Sequence, residues 1–322
     1  DQQRRNFPGL ASFQNPNFLN TANRTLLLSR GLTNAQIDST LAFLNSLTGE
    51  TPRKGDQTLF LPKIDWLIND RNTFSISYNR MRWESPNGVQ TSPVVTRARS
   101  SWGDDFVEVD SVNGRLQTTF SANVLNEFRF QYGRDYETQF SVPPFPGEPS
   151  TALGGTRAPN MFITNGFEFG TPTFLDRSSF PDERRWQFAD TVTWIAGRHT
   201  IKFGVDINRV TDDIENLFRG AGSYSYNNIN DFIIDYVGWA SGLPVDTQCA
   251  TGTRTVGKCY TSQYSQGVGL AGLKMRTWDY NLFVQDDFRI TPRLTVNLGL
   301  RWEYIAFPEP QLPGVSNVVI PY

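Results

Sequence analysis

The sequence predicts an all-β protein whose strands form an antiparallel transmembrane β-barrel. Three observations carry this prediction. About eight segments alternate between apolar and polar residues, the turns that join them in pairs are short, and the connections between pairs are long. Alternation with a period of two predicts strands whose two faces differ. Short turns at one end and long loops at the other are typical of barrels that span a membrane.

The composition agrees with a strand-rich chain and excludes several classes of protein. Of the 322 residues, 13% are aromatic and 19% are charged, whereas typical soluble domains contain roughly 25% charged residues. The net charge of −2 gives no global attraction to nucleic acid, so no nucleic-acid partner is expected. A mean hydropathy of −0.41 and the lack of an apolar run of about 18 residues argue against a transmembrane helix.

The first two predicted hairpins lie at residues 63–83 and 104–137. Each places aromatic and aliphatic side chains on one face of its strands and polar side chains on the other. The apolar members of their second strands are Phe74, Ile76 and Tyr78, then Phe128, Phe130 and Tyr132. Glu127 and Arg129 alternate with the second set, so we expect both to face a water-filled lumen.

The third and fourth hairpins lie at residues 185–209 and 280–305. Trp186 and Trp194 are eight residues apart on one face, a separation of roughly 20 Å for a strand tilted by about 40°. Barrels carry an apolar band of roughly 25 Å between two aromatic girdles. The predicted girdle facing lipid comprises Trp186, Trp194, Trp302 and Tyr304, and the remaining predicted lumen-facing residues are Lys202, Asp206, Arg301 and Glu303.

The predicted organisation places short turns on the periplasmic side and long loops, with short helices, on the extracellular side. Residues 1–56 form a loop region with a helix at about 33–48, residues 57–305 hold the barrel hairpins, and residues 306–322 begin another extracellular loop. The long loops inside the barrel region are 84–104, 138–184 and 210–276. Thr33 and Gln36 have the spacing of a helix capping box, and a second short helix is predicted over residues 231–240.

Few residues suggest a chemical site. Cys249 and Cys259 lie in a Gly/Thr-rich stretch, where a loop disulfide is favoured over a metal site because no histidine or further cysteine is near. The single histidine, His199, begins a strand and is interpreted as an interfacial residue at the periplasmic rim. No nucleophile–base constellation is present, so we predict no catalytic residue, no cofactor and no metal ligand.

Several stretches resemble a known family. FVQDDFRITPRLTVNLGLRWEY, HTIKFGVDINR and LNEFRFQYGRDYE resemble barrel strands of TonB-dependent outer-membrane receptors. FLPKIDWLINDRNTFSISYNRMRWESPNGVQ resembles the Oar-like branch of that family, which is common in Acidobacteria. The resemblance covers residues 55 to 305 and rests on the order and spacing of motifs that are each moderately specific.

The resemblance implies a location in the bacterial outer membrane and a barrel of 22 strands, of which this chain would supply about eight. It implies uptake of an extracellular ligand (an oligosaccharide, a peptide or a chelate) through a plug-gated channel. The partners would be outer-membrane lipid, the unknown ligand, and the TonB complex, contacted through an N-terminal region that is not in this chain. Neither that region nor the plug is recognisable in the sequence.

Two other functions stay open at this point. The chain could belong to a structural or adhesive outer-membrane surface protein that transports nothing. It could also be a soluble secreted β-sandwich that binds a partner, in which case the apolar strand faces would pack against a second sheet. A plug with a TonB-contact segment would favour transport, and solubility without detergent would favour the sandwich.

Overall fold

The structure is a computed structural model that describes residues 4–5, 19–49, 51–52, 54–89, 97–149, 156–164, 167–241, 248–250, 258–260 and 264–310. Most of these residues lie in one large antiparallel sheet of ten strands, and most of the others lie in a compact unit built from the long loops. In the part of the chain that is described, no helix has the length and apolar character needed to cross a membrane.

The described strands range from two to twenty residues, and the longest belong to the large sheet. In chain order they are β1 Arg4–Arg5, β2 Thr51–Pro52, β3 Asp56–Phe60, β4 Lys63–Asn69, β5 Asn72–Ser85, β6 Gly103–Ser121, β7 Val124–Ser141, β8 Asn160–Ile163, β9 Phe167–Phe169, β10 Arg177–Ala196, β11 His199–Asn216, β12 Ser223–Tyr226, β13 Gly272–Thr291, β14 Leu294–Ile305 and β15 Glu309–Pro310.

The large sheet runs in the order β14-β13-β11-β10-β7-β6-β5-β3, with β4 also pairing with β5 and β15 with β13. The four predicted hairpins are all present, and their turns contain two residues each, at 70–71, 122–123, 197–198 and 292–293. Gly197 has φ of +65°, a conformation that glycine adopts without steric cost. Among the described residues, β14 and the β3/β4 edge each lack a neighbour on their outer side, so the sheet is an open section of wall.

The strands extend further toward the loops than the sequence predicted. β7 continues to Ser141, β10 begins at Arg177, β11 continues to Asn216 and β13 begins at Gly272. The predicted loops 84–104, 138–184 and 210–276 are therefore too long at their ends. The extensions carry charged side chains on both faces, as at Asp212 and Asp213, so the apolar/polar alternation that marks a strand is missing there.

Two other predicted segments need correction. The predicted loop 306–322 contains β15, which pairs with Met275 and Arg276 of β13, while residues 311–322 lie outside the described part. Likewise, the predicted loop region 1–56 ends inside β3, which begins at Asp56. β3 escaped prediction because Pro62, which has no N–H to donate, interrupts the edge of the sheet, so that β3 and β4 pair with β5 as two separate segments.

Three helices come from the long connections. They are α1 Thr21–Ser29, α2 Asn34–Ser46 and α3 Ile229–Ser241. The predicted capping box starts α2, because the Thr33 side chain accepts a hydrogen bond from the Gln36 N–H and the Gln36 side chain accepts one from the Thr33 N–H. These two bonds satisfy backbone donors that the first helical turn leaves free.

These helices pack with β8, β9 and β12 around one hydrophobic core. We call this unit, whose described residues fall within 19–49, 97–102, 142–175 and 217–271, the cap. Its fully buried side chains include Leu27, Ile37, Leu44, Ile163, Phe167, Phe169, Phe232, Ile233 and Ile234. The small sheet has the order β12-β8-β9, and β12 runs parallel to β8, so the all-antiparallel prediction holds for the large sheet and not for the cap.

The cap is attached to the end of the sheet from which the loops emerge. The Asn216 side-chain amide donates to the Phe174 carbonyl at 2.6 Å, and the Ser141 hydroxyl donates to the Asp176 carboxylate at 2.6 Å. Arg157 forms an ion pair with the same carboxylate at 3.3 Å. These bonds fix the cap on the strand ends, so the two units meet through defined polar contacts.

Candidate functional site

The two faces of the large sheet differ in chemistry. One face, called here the apolar face, presents aliphatic and aromatic side chains that are about half exposed or more. Leu298, Leu300 and Phe203 are 62%, 73% and 46% exposed. No described element packs over these side chains, in contrast to what a β-sandwich requires.

The four predicted girdle residues all lie on this apolar face. Trp186 pairs in register with Tyr132 of β7, and Trp194 pairs with Val124 of the same strand. The register likewise sets Trp302 opposite Leu282 and Tyr304 opposite Tyr280. All four are between 40% and 52% exposed. The structure thus brings the predicted aromatic residues to one surface.

Two carboxylates, Asp190 and Asp286, interrupt the apolar face; the sequence indicated only that Asp286, as part of the Asp286-Asp287 pair, is a rim or lumen residue near a strand end. Asp190 accepts a hydrogen bond from the Asn126 amide on the neighbouring strand. Asp286 pairs with the Nδ1 of His199 at 2.6 Å, and the His199 ring stacks on Phe288 at 4.2 Å between centroids. Each carboxylate therefore has a partner on the next strand, which lowers the cost of holding it among apolar neighbours.

The opposite face, called here the polar face, carries a cavity of about 380 Å³. Arg129, Ala189 and Asp206 lie side by side on adjacent strands in this cavity. The side-chain amide of Gln187 donates to both oxygens of Asp206, at 3.0 and 2.8 Å. The polar lining consists of Lys63, Ser75, Ser77, Asn113, Arg115, Arg129, Gln131, Gln187 and Asp206.

The six predicted lumen residues all lie on the polar face, and two of them, Arg129 and Asp206, line the cavity. Glu127 is bonded to Arg129 and accepts from Gln117 at 2.9 Å. Arg301 and Glu303 pair with each other on β14. Lys202 lies opposite Thr193 and Gln285, apart from the cavity.

Arg115 was missed by the sequence reasoning, although it belongs to the same alternation as Gln117. The register sets it directly opposite Arg129, so two guanidinium groups face each other across adjacent strands. Like charges in directly opposed positions are destabilising. The pair therefore favours anionic or hydroxyl-rich groups as occupants of the cavity.

A row of carboxylates lies higher on the polar face, toward the cap. Glu183 is in register with Asp135 on one side and with Asp212 on the other. Arg185 forms an ion pair with Glu183 at 3.1 Å. The sequence analysis placed Glu183 and Asp212 in loops and Asp135 in a strand, so the common face of the three became visible only when the strands were found to continue.

The cap contributes a different set of polar groups. Arg97 and Glu168 form a buried ion pair at 3.1 Å, and Asn160 donates to the same carboxylate at 2.7 Å. Burial lowers the pKa of Arg97, although the charge of Glu168 opposes the shift. Burial also raises the pKa of Glu148, whose carboxylate accepts from the Phe145 N–H at 2.8 Å.

A cluster of tyrosines lies on the cap. The Tyr224 ring contacts Tyr260 and Tyr264, with centroids 5.3 and 4.7 Å apart. All three rings are partly exposed. The neighbouring Tyr226 is buried, and burial together with Asp235 raises its pKa. The cluster offers aromatic surface and hydroxyl groups to a ligand arriving at the cap.

The predicted disulfide is present, with Cα atoms of Cys249 and Cys259 5.5 Å apart. Together with Asp231, these cysteines are the only group in the described part of the chain whose spacing would suit a metal ion. A metal binds thiolates, and these sulfurs are bonded to each other. The group is therefore a structural crosslink in the cap.

A family model described as an outer membrane beta barrel domain matches residues 2–320. No curated protein matches the chain. Among solved structures, the chain is similar to FpvA of P. aeruginosa bound to heterologous pyoverdines, with 10% identity over 81% of this chain and 31% of that one and a TM-score of 0.47.

Two further solved structures are similar at the same level. The ferric-catecholate import receptor Fiu of E. coli K12 has 11% identity, 80% and 34% coverage of the two chains and a TM-score of 0.41. The siderophore receptor PiuA of Acinetobacter baumannii has 13% identity, 80% and 35% coverage and a TM-score of 0.35. The chain spans about a third of the length of these structures.

Proposed function

Because the chain belongs to the family of outer membrane beta barrel domains, we propose that it forms part of the wall of a TonB-dependent receptor that takes up an extracellular ligand. The chain is a protein of the bacterial outer membrane, which excludes the soluble β-sandwich. In the proposal, the apolar face meets lipid, the polar face lines the channel and the cap lies outside the cell. We also propose that the complete barrel has 22 strands and holds a plug, and that the protein is a member of the Oar-like branch of these receptors.

The observation that supports the proposal best is the division between the two faces of one sheet. Arginine or lysine at the middle of the lipid-facing surface of a barrel costs about 2–4 kcal/mol. The polar face holds Lys202 and Arg301 directly beside Phe203 and Leu300, which lie on the apolar face of the same two strands, β11 and β14. Only one orientation in a bilayer keeps these charges in water.

The cavity on the polar face gives the proposed channel a site for a solute. The paired guanidinium groups of Arg115 and Arg129 offer several donors in a fixed geometry. Gln131 and Asn113 add amide groups that both donate and accept. An oligosaccharide, an acidic peptide or a chelate with anionic oxygens has the matching groups, and we propose this class as the ligand.

The cap is the proposed site of first capture. Its tyrosine cluster and the exposed Trp239, which is 56% exposed, provide stacking surfaces for sugar rings or aromatic groups. TonB would act through an N-terminal region outside this chain. We propose no catalytic role, no cofactor and no nucleic-acid partner.

The second candidate is a structural or adhesive surface protein without transport. The cap favours it, because a unit with its own core and a disulfide could serve as a rigid binding head. The two candidates differ in their need for energy, since transport requires TonB and adhesion does not.

The deciding experiment measures uptake in isogenic strains that carry or lack the gene of the full-length protein, each with and without TonB. The probes are ⁵⁵Fe chelates, fluorescent oligosaccharides and fluorescent acidic peptides. The proposal expects at least one probe to enter only when both genes are present. Equal uptake by all strains, together with cell adhesion that depends on the protein alone, would replace transport by the adhesive function.

The orientation is tested separately with neighbouring residues that face opposite sides. Lys202→Cys and Phe203→Cys are introduced singly into the full-length protein, in which Cys249 and Cys259 stay oxidised. A membrane-impermeant maleimide should label the first variant in open channels, and a lipid-soluble maleimide should label the second. The reverse labelling pattern would mean that the polar face meets lipid and the apolar face lines the channel, contrary to the proposal.

A further inference from the structure

A strip of arginines crosses the apolar face on the side of the loops. The last register row of that face with aromatic residues on several strands is Tyr78, Val112, Tyr132, Trp186, Arg209 and Trp278, and beyond it the face carries only isolated aromatic residues such as Tyr136. Two residues further along every strand lies the row Arg80, Asp110, Arg134, Arg184, Thr211 and Arg276. We call this second row the arginine strip. It crosses six adjacent strands and holds four arginines and one aspartate.

The charges of the strip are incompletely compensated within the sheet. Arg134 and Arg184 are directly opposed and share the carboxylate of Asp182, at 2.7 and 2.9 Å. The only acid in the strip, Asp110, is already bonded to Tyr78 and Arg82. Arg80 lies in register with Asp110, whose carboxylate is thus shared among several groups.

Two more cations lie at the same border. Arg209 lies in the aromatic row with its guanidinium 5.6 Å from the centre of the Trp278 ring, and its Nε has no hydrogen-bond partner. Arg276 uses one nitrogen for Glu309 at 2.6 Å, while its Nε is also without a partner. Both Nε atoms are enclosed, so the donors of the strip that a headgroup can reach belong to the partly exposed side chains of Arg80 and Arg184.

The position of the strip identifies what it would meet. In the proposed orientation the apolar face is covered by acyl chains, and the aromatic row marks the level of the lipid headgroups. The strip is about 7 Å further along the strands, so it is continuous with the lipid interface and reaches the headgroups. Guanidinium groups bind phosphate with two parallel hydrogen bonds.

We infer that the arginine strip binds phosphate groups of the lipids in the outer leaflet of the outer membrane. This inference rests on the orientation proposed above and is independent of transport. A soluble anion in the channel would meet the polar face, whereas the strip is on the other side of the sheet. The strip would therefore hold phosphorylated glycolipid against the outside of the barrel.

The test measures binding of lipid A to the detergent-purified full-length protein by native mass spectrometry. The strip variant carries Arg80→Gln and Arg184→Gln, which leaves Asp182 paired with Arg134. The control carries Arg185→Gln and Lys202→Gln, with the same change of charge on the polar face and outside the cavity. At about 1 kcal/mol for each arginine near a headgroup, the strip variant should bind lipid A about 30-fold more weakly and the control should bind as the wild type does.

Other results would overturn the inference. Equal weakening in both variants would show a general effect of charge, and unchanged binding of dephosphorylated lipid A would show that only acyl chains are recognised. Displacement of lipid A by millimolar inorganic phosphate would identify a site for free anions. Heat-modifiable gel mobility confirms that each variant is folded. If no probe is taken up but lipid A binding follows the expected pattern, the transport proposal is wrong and the inference that the arginine strip binds lipid phosphate is upheld.

Discussion

The large sheet and the cap bury their side chains in opposite ways. In the sheet each strand pairs with a neighbour close in sequence, and both faces stay open, so that Leu300 on the apolar face is 73% exposed. In the cap, Phe169 and Ile233 are fully buried among segments far apart in the chain. The sheet therefore depends on its surroundings to cover its apolar surface, whereas the cap covers its own. The two regions should respond differently to the same kinds of substitution.

The largest expected effect comes from removing a core side chain of the cap. Phe169 packs edge-on against Phe43 and Phe232, with centroids 5.9 and 5.6 Å apart. Phe169→Ala should destabilise the cap by about 3–5 kcal/mol, because it deletes contacts and leaves a cavity. Hydrogen exchange of α3 measures the loss. The control, Phe203→Ala on the apolar face, should leave exchange in the cap unchanged, and an equal loss in both variants would mean that cap and sheet form one cooperative unit.

A charge on the apolar face should have the next largest effect, and it should be confined to the sheet. Leu300→Arg is expected to destabilise the protein in lipid bilayers by about 2–4 kcal/mol, since the guanidinium would enter hydrocarbon beside Val284. Asn297→Arg, on the polar side of the same strand, is the matched control. Urea titration of the full-length protein folded into vesicles measures both. Similar midpoints for the two variants would contradict the assignment of the faces.

Loss of the disulfide should weaken the cap somewhat less. Closing a loop of ten residues is worth about 2–3 kcal/mol through the restriction of the unfolded chain. Replacing both Cys249 and Cys259 by serine should therefore speed hydrogen exchange in α3 while strand exchange stays constant. Treating the wild type with a reductant should reproduce this result. Faster exchange in β10 would show that the crosslink also supports the sheet.

The smallest expected effect is a dependence of the cap on pH. Burial raises the pKa of Glu148 above its ordinary value of 4.5, so the protonated carboxyl is favoured in the folded cap. The stability it contributes is present below that ordinary value and is lost as the pH rises through the raised pKa. Glu148→Gln should abolish this loss of stability, which is measured as the pH dependence of hydrogen exchange in the cap. An unaltered profile would place its origin in another group.

The hairpins could be predicted from the sequence because their information is local. The alternation from Leu294 to Tyr304 specifies a strand, two opposite faces and a pairing partner on the other side of a two-residue turn. The same logic put Arg129 and Asp206 on one face, although it could not show that the register makes them neighbours in a cavity. Register across hairpins depends on contacts between strands that are distant in sequence.

The cap could be predicted only in part. Thr33 and Gln36 marked the start of α2, and the apolar side chains near Phe232 marked α3. The convergence of both helices on Phe167 and Phe169 could not be predicted, since β8 and β9 are short and carry no extended alternation. The parallel pairing of β12 with β8 is likewise a product of tertiary packing.

The shared core of the cap has a consequence for how this protein can diverge. Each of the four loop regions contributes to one packed interior, so none of them is an independent module that a related sequence could exchange alone. An insertion beside Phe169 would be felt at Leu44 and at Ile234. New recognition properties at the cell surface would thus arise through coordinated change in several loops. Single substitutions of the partly exposed Tyr224 and Tyr264, by contrast, would alter the surface of the cap without disturbing its core.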